Sequence, residues 1–137
     1  MTKAGNGSAA KLASGIKQIK EFSITAAANA GLTTIATITG QPCLIKSIVL
    51  HSNGATTADL TSAAIKGGAS QVVEFISAAV AIQADLDAAD KQVVFTGAVR
   101  LAVAKTIVID LQGTGATAVD FTVIIEYEAV IDGGRLV

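Results

Sequence analysis

The clearest pattern along the chain lies at residues 121–130, where Phe121, Val123, Ile125, Tyr127 and Ala129 alternate with Thr122, Glu126 and Glu128. A two-residue period of this kind predicts a strand with one face on a core and the other toward solvent. Residues 106–111 repeat it, with Ile107, Ile109 and Leu111 set against Val108 and Asp110. Upstream, β signals accumulate from Gln18: Phe22 and Ile24 share a face, Asn29-Ala30-Gly31 marks a turn, and residues 32–39 are dense in Thr and Ile before Gly40-Gln41-Pro42 closes the strand. Residues 43–51 form a nearly continuous apolar run interrupted by Lys46 and Ser47, which predicts a central strand covered on much of both faces.

Asn53-Gly54 is the strongest turn signal. Further strands are expected at 60–65, ending at Gly67-Gly68, and at 72–76. The alanine-rich stretch 77–90, with scattered aspartates, fits a loop or one or two helical turns. Residues 93–95 read as a short strand cut by Gly97, with another at 99–103. About eight antiparallel strands, frequent glycine turns and no long amphipathic helix predict an all-β, single-domain β-sandwich.

One feature favours a jelly roll within that class. Lys46-Ser47-Ile48-Val49 leads through a turn into Gly54-Ala55-Thr56-Thr57-Ala58-Asp59-Leu60-Thr61. Lys105-Thr106-Ile107-Val108 leads likewise into Gly115-Ala116-Thr117-Ala118-Val119-Asp120-Phe121-Thr122. The two copies suggest two similar halves of one sandwich, although strands rich in Thr, Ala and Gly also look alike by chance. On this reading Asn53, Gly54, Asp59, Gly113, Gly115 and Asp120 are structural turn residues, with Asp59 and Asp120 at equivalent corners accepting hydrogen bonds from nearby backbone N–H groups.

A chain of 137 residues needs only one domain. Its 15% charged share is well below the usual quarter, so many surfaces should be apolar or small-polar and suited to burial against other subunits. The charge is also unevenly placed. Residues 1–20 carry Lys3, Lys11, Lys17 and Lys20 with no acid, whereas residues 21–137 hold six basic and eleven acidic residues, plus four against minus five. Residues 1–17 are therefore read as an N-terminal arm, flexible or ordered by a partner, ahead of a sandwich domain at 18–137. Its four lysines are candidate contacts to a neighbouring subunit or an acidic partner.

Candidate chemistry is sparse. His51 is the single histidine, and no acid and nucleophile are signposted around it. Glu126 and Glu128 share one strand face and would repel each other instead of working across a cleft. Asp85, Asp87 and Asp90 lack the glycine turn and closing glutamate of a calcium loop. Gly113-Thr114-Gly115 lacks a Gly-Lys-Ser/Thr ending and reads as a hairpin turn. Cys43, the one cysteine, excludes an intramolecular disulfide and reads as a small buried hydrophobe at a strand start. With no Trp and one Tyr, platforms for sugars or stacked bases are scarce. No enzyme activity, cofactor, metal or nucleic-acid partner is expected. No apolar run reaches the roughly 20 residues of a membrane helix, no secretory signal is evident, and synthesis in the cytoplasm is expected.

Residues 45–134 resemble the small β-sandwich decoration, or cement, proteins of tailed bacteriophage capsids. The resemblance rests on Ile45-Lys46-Ser47-Ile48-Val49-Leu50, on Val99-Arg100-Leu101-Ala102-Val103-Ala104-Lys105-Thr106-Ile107, on Gly113-Thr114-Gly115-Ala116-Thr117 and on the ending Tyr127-Glu128-Ala129-Val130-Ile131-Asp132-Gly133-Gly134. It implies a non-enzymatic accessory protein on the outside of the head, often a homotrimer, that clamps adjacent copies of the major capsid protein. The alternatives are a tail or neck virion component with the same sandwich, and a glycan-binding β-sandwich using the loops around Asn53 and Asp85.

Overall fold

The computed structural model describes residues 15–26, 29–54, 59–116 and 119–137. These form nine strands: β1 (Lys17–Ala26), β2 (Asn29–Thr39), β3 (Cys43–Ser52), β4 (Leu60–Gly67), β5 (Val73–Ile76), β6 (Gln92–Leu101), β7 (Thr106–Ala116), β8 (Val119–Ala129) and β9 (Arg135–Leu136). They make two antiparallel sheets, a four-stranded one in the order β1-β8-β3-β6 and a five-stranded one in the order β5-β4-β7-β2-β9. The pairs β1·β8, β2·β7, β3·β6 and β4·β5 are nested one inside the next, so the chain is a long hairpin rolled into two sheets. That is the jelly roll, with β9 added at one edge.

The order has an internal symmetry. Adding four to each strand number, counted cyclically, turns β1-β8-β3-β6 into β5-β4-β7-β2. The two look-alike segments fall on strands related by this shift, β3 and β4 for the first and β7 and β8 for the second. Ile48, Leu50 and Ser52 of β3 are buried, as are Ile107, Ile109 and Leu111, fifty-nine residues further on in β7. The sequence likeness thus follows the two halves of the fold.

Strand β8 has the predicted alternation in full, burying every second residue from Val119 to Ala129. It sits between β1 and β3, where both of its backbone edges are paired. Strand β3 departs from a simple reading. Cys43, Ile45, Ile48, Leu50 and Ser52 face the core while Leu44, Lys46, Ser47, Val49 and His51 are half-buried, so one face is covered and the other only partly. The inward positions change parity because β3 carries an extra residue opposite β8: Ile45 faces Tyr127 and Ser47 faces Glu126. This bulge at Lys46 keeps both halves of an apolar run on one core.

Strand β6 is one strand and not two. It passes Gly97 by a bulge, the four residues 96–99 facing three of β3, residues 45–47. The stretch 77–90 is a loop with a 3₁₀ turn at Gln83–Asp85, and it buries Ala81 and Leu86. The core between the sheets is otherwise mainly aliphatic, with Ile45, Ile48, Ile65, Ile109 and Ile125 fully enclosed together with Phe121. Each such side chain contributes about 1.5–3 kcal/mol through removal from water. The principal ring contact is at the open side, where Phe75 of β5 meets Phe95 of β6 edge-to-face at 5.1 Å.

Two glycines are required by close packing. Gly40 has φ +76°, and a Cβ there would run into the Gly133 carbonyl oxygen. Gly67 lies under the Phe75 ring, with Cε2 2.8 Å from the Cβ position. Gly40→Ala should lower stability by about 2–4 kcal/mol, because it combines backbone strain with a collision that no rotamer relieves. Gly67→Ala should lower it by less, about 1–2 kcal/mol, because the ring can shift. Urea denaturation of both variants checks the order.

Cys43 is fully enclosed beneath the 133–134 backbone, and burial pushes its thiol up to about 11. A thiol reagent at pH 8 should therefore leave the folded protein unlabelled and react at once on unfolding. Rapid labelling under native conditions would contradict this packing.

Candidate functional site

The polar side chains that could carry chemistry gather at one end of the sandwich and are mutually engaged. His51 Nε2 lies 3.2 Å from Asp90 Oδ1, and His51 Nδ1 lies 3.2 Å from Asn53 Oδ1. Asn53 donates through Nδ2 to Asp120 Oδ1 and Thr122 Oγ1, each at 3.0 Å. The backbone supports this arrangement, since Asn53 N–H donates to the Asp120 carbonyl and Asp90 N–H to the Ser52 carbonyl. Buried Ser52 lies with its hydroxyl 2.6 Å from the Gly54 carbonyl and 2.8 Å from that of Leu86, tying the 77–90 loop to the end of β3. The cluster joins three chain segments. It is open to solvent at Asp90, whose side chain is 92% exposed.

The other candidates are dispersed. Asp87 is held by Lys91 at 2.7 Å and Asp90 by His51, and among the described residues no three His, Cys, Asp or Glu side chains converge as metal ligands. Glu126 and Glu128 lie on the outer face of β8, each with a lysine beside it: Lys17 Nζ is 2.9 Å from Glu126, and Lys46 Nζ 3.8 Å from Glu128. The Lys17 hydrogen bond holds the Glu126 carboxyl below its usual range and raises the lysine in turn. Their expected repulsion is thus relieved by ion pairing.

The predicted contact and turn residues distribute as follows. Lys3 and Lys11 lie outside the described residues. Lys17 and Lys20 belong to β1 and not to a segment ahead of it, because the backbone there pairs with β8, Lys17 with Glu128 and Lys20 with Ile125. Lys20 points inward at the sandwich edge, donates to the Leu136 carbonyl at 3.2 Å and sits 5.7 Å over the Phe22 ring. Asn53 and Gly54 open a crossover from one sheet to the other and not a two-residue hairpin, since β3 and β4 are in different sheets. Asp59 is exposed directly before β4. Asp120 is the second residue of β8 and receives the Asn53 side chain at its carboxylate. Gly113 and Gly115 are strand residues near the end of β7, not turn residues, because β4 pairs at Gly113 and β2 at Ala116.

What remains are surfaces. The outer face of the β1-β8-β3-β6 sheet carries an apolar row, Ile124, Val49 and Val94, directly opposite one another on three strands, with Ile19 68% exposed nearby on β1. Ion pairs of Lys17 and Lys46 border it. On the other sheet, Leu32 is exposed beside Asp110, which is held by Lys66 at 3.1 Å. At the end where β1 begins, Ile16, Val130 and Ile131 are exposed together near Pro42. Sequence reasoning anticipated apolar surface from the low charge share but not these places, because each depends on strand pairing between distant segments. Among the described residues no helix is long and apolar enough to cross a membrane.

No family model matches this sequence, and comparison with curated proteins finds no match. The fold does have counterparts among solved structures. A chain of the acidic stable capsid structure of Helicobacter pylori bacteriophage KHP30 superposes with a TM-score of 0.56 at 12% identity, over 90% of this chain and 94% of that one. A chain of the cyanophage Pam1 capsid asymmetric unit superposes with a TM-score of 0.54 at 16% identity, over 94% and 93% respectively. At these identities the likeness is one of fold: this chain has the jelly roll found in small chains of two bacteriophage capsids.

Proposed function

We propose that this chain is a non-enzymatic structural protein of a bacteriophage virion: an accessory decoration, or cement, protein that binds the outside of the major capsid lattice. The observation that carries the reading is the end-to-end superposition, with at least nine-tenths of each chain covered, on small chains of two phage capsids. A shared fold by itself hosts many functions. Here the reading is also supported by the site, where the polar groups hold loops together, and by large apolar side chains such as Ile19, Val94 and Ile131 left exposed.

In this reading the protein is made in the host cytoplasm and joins the capsid surface as a homotrimer, without nucleic acid or membrane as a partner. The segment ahead of β1, with Lys3 and Lys11, is an arm that orders on a neighbour or on the capsid, and Lys17 and Lys20 contribute from the adjoining strand. The outer-face row of half-buried Ile124 and Val49 with exposed Val94 supplies apolar surface for subunit burial.

The direct test is co-sedimentation of the purified protein with phage heads that lack it. Saturable binding at a fixed ratio to the major capsid protein is expected, and binding only to tails or necks would move the protein to that part of the virion. Light scattering should give a defined oligomer, and a monodisperse monomer at high micromolar concentration would remove the trimer. Deleting residues 1–16 should leave thermal unfolding nearly unchanged and weaken head binding. If the deletion unfolds the domain, those residues belong to the sandwich.

A further inference from the structure

The two edges of the four-stranded sheet are treated differently. Edge strand β1 is guarded: Lys17, Lys20 and Glu21 lie along it, and Lys20 turns inward to the Leu136 carbonyl. Inward and flanking charges of this kind keep a strand edge from pairing with another chain. Edge strand β6 pairs with β3 on one side only, and from Gln92 to Val99 it carries no charged side chain. Its bulge begins beyond Thr96, so residues 92–96 present a regular and unprotected edge.

A groove runs beside that stretch. The second sheet ends here in the four-residue β5, and the space left between β5 and β6 measures about 390 Å³, lined by Glu74, Phe75, Ser77, Val80, Val94 and Phe95. A further depression of about 520 Å³ continues past Val80 and Val94 to Asp85, Lys91 and Gln92. The Phe75–Phe95 pair and half-exposed Val80 line it, and Val94 borders it from the outer face of β6. Its rim is acidic. Lys91 is taken up by Asp87 and the Ala84 carbonyl, while Glu74 and Asp85 make no side-chain ion pair or hydrogen bond among the described residues.

We propose that this edge accepts an extended segment as an added strand, and that the segment is residues 1–14 of a neighbouring copy. The inference rests on the arm reading given above and names the place where the arm docks. Charge complementarity selects the occupant: residues 1–14 contain Lys3 and Lys11 and no acid, matching the unpaired Glu74 and Asp85. Strand direction selects the neighbour. Lys17 lies across the sheet from Arg100, at the far end of β6 from the groove. A segment reaching the groove from its own copy would run parallel to β6, whereas every pair in the molecule is antiparallel. To enter antiparallel it would first have to travel to the Gln92 end, spending most of a reach of roughly 46 Å before pairing began. A second copy meets neither restriction, and strand addition of this kind draws its affinity from main-chain hydrogen bonds with side-chain pockets giving specificity.

The test uses full-length chains. Two single-site variants, Ala9→Cys and Thr96→Cys, are mixed and oxidised, the buried Cys43 being retained in both. A disulfide-linked heterodimer is expected, at a yield well above that from Ala9→Cys mixed with Ser23→Cys, which sits on the guarded β1. Glu74→Lys with Asp85→Lys should lower the yield about fivefold, and adding Lys3→Glu with Lys11→Glu should restore it. Equal yields at positions 96 and 23, no cross-link up to high micromolar protein, or a loss that the charge exchange fails to rescue would each overturn the proposal. No capsid is present in this experiment. Its failure therefore leaves head binding untouched, and failure of head binding with the cross-link intact would count against the decoration reading alone.

Discussion

The bulge at Lys46 is the constraint on which the sandwich depends. With strict alternation, a strand that turned Cys43 and Ile45 inward would also bury Ser47, Val49 and His51, leaving Ile48 and Leu50 outside. One extra residue against β8 reverses the parity, so Ile48, Leu50 and Ser52 join Cys43 and Ile45 on the core. Strand β6 answers with its own bulge at the same level, which is how β3 stays paired on both sides through the irregularity. Residues at the bulge are then free for the outer face: Lys46 reaches Glu128 and Ser47 donates to Glu126. The irregularity that fills the core also neutralises part of the surface.

The same economy governs the edges. A rolled hairpin of nested pairs closes most of its backbone groups but must leave edges on both sheets, and here they are treated unequally. The five-stranded sheet ends in short strands, four residues in β5 and two in β9, which offer little to a passing chain. In the four-stranded sheet both edges are ten residues long. One has charges directed along and beneath it. The other borders a groove whose rim acids, Glu74 and Asp85, make no ion pair or side-chain hydrogen bond among the described residues.

Legibility in the sequence followed locality. Strand β8 could be read residue by residue because its alternation is contained within the strand and both its neighbours conform to it. The class, the approximate strand number and the two related halves came from similarly local signals. The failures share another cause. Gly97 reads as a strand break until β3 is placed beside it and shows a bulge, and Gly113 and Gly115 read as a turn until β2 and β4 are seen to pair across them. Asn53-Gly54 has hairpin chemistry, yet the following strand joins the other sheet, so a corner forms instead. Lys17 and Lys20 look like part of a basic tail, and only pairing with β8, more than a hundred residues away, makes them strand residues. In each case a long-range partner overrode a local preference.

The polar side chains at the β3 end are mutually engaged. Here His51 is flanked by Asn53 and Asp90, Asn53 is engaged by Asp120 and Thr122, and the Ser52 hydroxyl is occupied by two carbonyls. These groups hold the 77–90 loop against β3, and that loop supplies Val80 and Asp85 to the groove beside β6. Among the described residues this polar cluster therefore positions the loop that lines the groove beside β6.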